Sequence, residues 1–265
     1  MLAGAIIVFR EFLEAALVVA VILGATKGIK RRGSWVGWGI VCGTLGAGIV
    51  AALMGRISQS FSGTGQSIFE ACVLLLSVAM LGWHNIWMSK HGKKIARELR
   101  DLGQDVGAGK KSLAAIFTAV AIAVLREGSE IALFLYGIAA GGVAKASLLA
   151  GAALGVASGL AVGFALYYGL MKIPVKYFFR ATGWMILLLA AGMASEAASF
   201  LNQAGLLPSV KDSLWNTSWL LSAQSLPGTA LKTLIGYTPN PSGIQIIFYV
   251  SALVVIGGLM KISEG

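Results

Sequence analysis

The string Arg-Glu-x-x-Glu occurs twice in the chain, as REFLE from Arg10 to Glu14 and as REGSE from Arg126 to Glu130. Each copy sits inside a stretch that is otherwise apolar enough to cross a bilayer. On a helix, residues three and four apart share a face. Glu11 and Glu14 therefore stand together with Arg10 one turn from Glu14, and Glu127, Glu130 and Arg126 repeat the geometry. A charge at the centre of a membrane helix costs roughly 2.5–3.5 kcal/mol on a lenient scale, so six facing lipid would cost on the order of 15 kcal/mol. These side chains must face protein or water. Two further acids, Glu70 and Glu196, lie in other apolar stretches. Six carboxylates against two guanidinium groups leave four negative charges in a low-dielectric interior. Such a cluster must be partly protonated, hold metal, or alternate between those states.

Every ligand in this set is a carboxylate oxygen, which selects hard cations such as Mg²⁺, Ca²⁺, Mn²⁺ or, by the same logic, Fe³⁺. The charge excess favours a trivalent ion. His84 and His91 are placed near the cytoplasmic end of the third apolar stretch, away from the motifs, and neither Cys42 nor Cys72 is near them in sequence. Arg-Glu pairs can also simply lock helices together. That reading suits a single pair better than two copies of two acids each, with two more acids elsewhere.

The elements that carry these residues follow from hydropathy. Of 265 residues, 57% are hydrophobic and 12% charged, and mean hydropathy is +0.81. This is the profile of an all-α polytopic membrane protein. A span needs about 20 mostly apolar residues, and seven transmembrane helices are expected, over 3–25, 34–55, 67–89, 113–140, 146–171, 178–201 and 243–261. No basic region precedes the first apolar run, so that span is expected to be retained rather than cleaved as a signal peptide. The two cysteines fall inside spans and read as small buried apolar residues, not a disulfide.

Of the 21 Lys and Arg residues, 15 lie on alternate connections: after spans one, three and five, and at the end of span seven. By the positive-inside rule the N-terminus is outside and the C-terminus cytoplasmic. The net charge of +10 thus reports topology and contact with anionic lipid, not nucleic acid.

The chain also looks duplicated. Spans one and four carry the motifs, spans two and five are Gly-rich, and spans three and six hold Glu70 and Glu196. Two units of three spans must be inverted relative to each other, a plan common in transporters. The expected organisation is a first repeat over 1–89, a cytoplasmic amphipathic linker over 90–112 whose helix ends near Gly103, and a second repeat over 113–201. An external loop over 202–242 follows, with a short interfacial helix carrying Trp215 and Trp219, and then the seventh helix over 243–265. The four-residue spacing of Gly151, Gly155, Gly159 and Gly163 lets a helix approach closely, either within one subunit or in a homo-oligomer.

FREFLEAAL at 9–17 and LREGSEIAL at 125–133 resemble the paired signatures of the Ftr-type high-affinity iron permeases, the oxidase-dependent iron transporters. The resemblance extends over the seven spans, the basic linker and GYTPNPSGIQ at 236–245. It implies an iron permease rather than an enzyme, without a permanently bound cofactor and with iron as the transported substrate. Glu11, Glu14, Glu127 and Glu130 are the implied iron ligands, with Arg10 and Arg126 as motif arginines. Glu70 and Glu196 are added from position alone, to complete the shell or relay protons. The implied partner is an extracytoplasmic oxidase or iron-binding protein delivering Fe³⁺, and the compact chain suits a bacterial inner membrane. One departure is Phe12, where the family has Gly, as at Gly128; a phenyl ring there would narrow the route on that side. Transport of another hard cation such as Mn²⁺, or intramembrane sensing by the glutamates, are the competing readings.

Overall fold

The computed structural model describes residues 1–60, 63–141, 143–168, 175–208, 210–211, 213–221, 225, 228, 231–232 and 235–264. Within them run seven long helices: α1 (Leu2–Ala25), α2 (Arg32–Gln59), α3 (Thr64–Gly107), α4 (Leu113–Ala140), α5 (Lys145–Tyr167), α6 (Val175–Gln203) and α7 (Gly243–Glu264). No strand occurs among the described residues. Five of these helices (α2, the first half of α3, α5, α6 and α7) contain windows long and apolar enough to cross a membrane. The helices α1 and α4 are of similar length, and each carries the three charges of its motif. The apolar surface faces outward as well as inward: Trp38, Leu45, Leu149, Val254 and Ile262 are all largely exposed, as suits helices bathed in lipid rather than water. Cys42 and Cys72 lie on that exposed surface as free thiols, not in the interior as hydropathy alone implied.

Helix ends explain where the expected boundaries shift. Gly103 does not stop α3: it is buried against Ala25, where a side chain would collide. The stop lies at Gly109, whose φ of 72° lets Lys110 N–H bond Asp105 C=O and Gly109 N–H bond Val106 C=O, the pattern of a helix closed by a left-handed glycine. Span three and the linker helix are therefore one continuous rod of 44 residues, about 66 Å long. Its last turns present Leu99 and Val106 to Ile22, Val36, Ile116 and Val120, packing against α1, α2 and α4. Gly205, with φ of 74°, ends α6 in the same way through Leu206 N–H to Leu201 C=O.

The two sequence triplets interlock. Helix α2 packs on α4 and α5 on α1, each Gly-rich helix crossing to the motif helix of the other triplet, while α3 packs on α6 and α6 on α7. The crossings are close because glycine faces backbone. A Cβ at Gly155 would sit 2.7 Å from Ala5 O, and one at Gly43 would sit 2.7 Å from Ala121 O. The Gly series in α5 thus packs a helix of the same subunit. Trp215 and Trp219 are not helical. They are exposed on an irregular stretch pinned by Thr217 N–H to Pro239 C=O and by the Thr217–Tyr237 hydroxyl contact. Tertiary bonds to the Pro-rich strip replaced the helix that their one-turn spacing suggested. Lys172 lies outside the described residues.

Candidate metal centre

The motif helices α1 and α4 pack directly on each other, and α3 packs on both. Where the three meet, the charged residues converge. Arg10 Nε donates to Glu14 Oε1 at 3.1 Å, and both side chains are almost fully buried. Arg126 Nε repeats the contact with Glu130 Oε1 at 3.0 Å and lies 3.9 Å from Glu127 Oε1. The two arginines differ in setting: 2% of the Arg10 side chain is exposed but 41% of the Arg126 side chain, whose guanidinium rests 5.2 Å above the Trp87 ring.

Between the two motifs stands His84 of α3, a residue that the carboxylate-only reading of the sequence left out. Its Nε2 is 2.8 Å from Glu14 Oε2 and 3.9 Å from Glu11 Oε2. Its Nδ1 is 3.0 Å from Arg126 Nη2 and 2.9 Å from Glu130 Oε2. Nε2–H donates to Glu14, while Nδ1 stands between a guanidinium, which can only donate, and a Glu130 carboxylate oxygen, which can only accept. Sequence placed His84 at the cytoplasmic end of a span because the basic run begins at Lys90. In fact α3 continues through most of that run to Gly107, and His84 lies level with both motifs. The available signal was its being a polar, ionisable residue within an apolar span, which marks function by default.

Donor atoms of Glu11, His84, Glu127 and Glu130 all lie within 4.8 Å of one another, and all four residues are buried. Both Glu11 oxygens, Glu127 Oε2 and Glu130 Oε2 have no hydrogen-bond partner. Buried carboxylate oxygens left unpaired are strongly unfavourable, so this group is built for cations or protons. Glu14 stands apart from it, with its two oxygens taken by Arg10 and His84.

Neither of the two acids added by position joins the cluster. Glu70 accepts from Gln66 Nε2 at 2.9 Å, one turn up the same helix, and lies fourteen residues before His84, about 21 Å along α3. Glu196 lines a separate cavity of about 50 Å³ with Gly137, Gly141, Gly192 and Met193, 3.9 Å from Lys232 of the segment between α6 and α7. Order along the chain matched these acids between triplets but not their depth. Without them, four carboxylates face two guanidinium groups, so the formal charge with every carboxylate ionised and His84 neutral is two negative rather than four.

Phe12 points away from this centre. Its ring packs where a Cβ on Gly159 of α5 would come within 2.9 Å, and at the equivalent place in the second motif Gly128 meets Ala47 of α2. The phenyl group fills a helix-packing site between α1 and α5.

No solved structure matches the chain. Among curated proteins it is 31% identical over 258 residues to the ferrous iron permease EfeU of Yersinia pestis, covering 94% of this chain and 91% of that protein. It is 32% identical over 260 residues to the ferrous iron permease EfeU of Escherichia coli O157:H7, covering 94% and 92%. Both relatives are named permeases, which are transporters and not enzymes. The pattern of the iron permease FTR1 family matches residues 1–263. A helical membrane protein with paired Arg-Glu-x-x-Glu strings, matched to that pattern over almost its whole length, belongs to the iron permease FTR1 family.

Proposed function

We propose that the chain imports iron as Fe²⁺ through the buried centre formed by Glu11, Glu127 and Glu130. The observation that carries this reading is the set of unpartnered carboxylate oxygens drawn from both motifs. The Fe³⁺ expectation rested on the resemblance to oxidase-dependent transporters and on a count of six acids. With Glu70 and Glu196 elsewhere, the centre formally carries two negative charges, which a divalent ion neutralises, and the relatives are named for ferrous iron. Glu14 and the two arginines hold the site in shape and limit its charge when empty. Protons binding to the emptied carboxylates would let a tightly held ion leave. An extracytoplasmic oxidase is needed only for an Fe³⁺ cargo. An iron-binding partner remains compatible with either ion.

The proposed setting is a bacterial inner membrane, crossed seven times by two inverted three-helix units and α7, with the N-terminus outside and the C-terminus cytoplasmic. The reciprocal crossings of α2 on α4 and α5 on α1 support that plan. They also imply that the moving bodies are not the sequence triplets themselves, because each triplet is threaded through the other. The full-length protein in liposomes tests the cargo: Fe²⁺ kept reduced should enter, Fe³⁺-citrate and Mn²⁺ should enter much less, and Glu127→Gln should abolish entry. Uptake of Fe³⁺ in preference to Fe²⁺ would refute the charge argument.

A further inference from the structure

We infer that His84 is an iron ligand through Nδ1 and sets the selectivity of the permease, and that Glu14 is its positioning residue rather than a ligand. This rests on the proposed carriage of iron by the same centre. Metal-bound histidine almost always donates its other ring N–H to a carboxylate, which fixes the ring and its tautomer. His84 has that arrangement: Nε2–H is 2.8 Å from Glu14 Oε2, and Glu14 is fixed in turn by Arg10 at 3.1 Å, all three side chains being buried. The opposite nitrogen, Nδ1, lies 2.9 Å from Glu130 Oε2, a spacing that either a proton shared by the two atoms or a metal ion bound by both would satisfy. Adjacent donors at right angles on an ion with ligand bonds of about 2.1 Å stand about 3.0 Å apart, which matches this pair.

In the empty centre Arg126 Nη2 covers the Nδ1 lone pair at 3.0 Å. Iron binding there requires Arg126 to leave Nδ1; it is half-exposed, holds Glu130 Oε1 through Nε and already rests over the Trp87 ring. Arg10, by contrast, is sealed in the interior. The two motifs therefore divide the work: the first anchors the imidazole through Glu14 and contributes Glu11, and the second contributes both its glutamates and a movable cation. A nitrogen donor among oxygens shifts preference from Mg²⁺, Ca²⁺ and Mn²⁺ towards iron.

Full-length protein in detergent, loaded anaerobically with Fe²⁺ alone, is examined by iron K-edge X-ray absorption. The wild-type spectrum should show the outer-shell scattering of one imidazole. His84→Gln should lose it, and in liposomes its preference for Fe²⁺ over Mn²⁺ should fall on the order of tenfold. Glu14→Gln should keep the imidazole signal with weakened affinity. Bound iron with an oxygen-only shell in the wild type overturns the assignment, whether or not His84→Gln folds, and leaves the permease reading standing. An imidazole signal that persists in His84→Gln overturns it too. Failure of the wild type to bind or carry iron overturns both.

Discussion

Arg10 and Arg126 occupy the same motif position but different surroundings, and the difference has measurable consequences. Removing Arg10 leaves Glu14 buried with an unpaired charge, which costs about 3–5 kcal/mol in comparable sites. Arg126 is half-exposed, and solvent screens what its loss would uncover. Arg10→Gln should therefore lower the thermal unfolding midpoint in detergent far more than Arg126→Gln, and equal effects would contradict the difference in burial. Glu70→Gln, remote from the centre, should leave iron affinity unchanged, while Glu11→Gln should weaken it by at least tenfold, an outer-shell change alone costing about 10–100-fold. Calorimetric titration with Fe²⁺ compares the two. Residue spacing put Glu11 with Glu14 and Glu127 with Glu130 on one face of each motif helix, and the family resemblance nominated all four as ligands. Neither could show that Glu14 is turned towards Arg10 and His84, or that His84 is level with both motifs. Those depend on how deeply α3 is set against its neighbours, which no local pattern encodes.

Helices were the most legible part of the chain. The bounds of α4, Leu113–Ala140, coincide with the hydropathy window, since Ser112 and Gly141 flank a run that is apolar on either side of the motif. The length of α3 was not legible, because Gly103 has the character of a terminator yet serves as a packing surface. The glycines of α5 announce close approach but not the partner, which is α1. Gly155→Leu should force α5 from α1 at Ala5 and Val8 and destabilise the protein by at least the ~1–3 kcal/mol typical of overpacking. Gly159→Leu should be similarly harmful against Phe12, and Phe12→Ala in the same chain should recover part of the loss. Contacting residues couple by roughly 0.5–3 kcal/mol, so strict additivity of the two changes in a thermal-shift series would show that they do not touch.

For the whole molecule, composition settled the class: 57% hydrophobic residues leave little besides a multi-pass membrane protein. Charge distribution goes further and supplies the proposed orientation. With Cys42 and Cys72 replaced by alanine, which their exposed positions tolerate, Trp219→Cys should react with a membrane-impermeant maleimide in intact cells. Lys94→Cys, on the exposed face of the α3 extension, should react only after the membrane is opened; the reverse pattern would invert the proposed topology. The threading of α2 and α5 through the opposite triplet was not legible, since hydropathy describes each helix by itself and says nothing of its neighbour. The seating of Phe12 in the notch left by Gly159, mirrored by Gly128 beneath Ala47, reaches beyond this one chain. Side-chain volume at each of these crossings is shared between two helices that lie some 150 and 80 positions apart in sequence. Among kindred permeases, a small residue in the place of Phe12 should therefore be accompanied by a bulkier one opposite it, and that pairwise covariation can be sought in sequences alone.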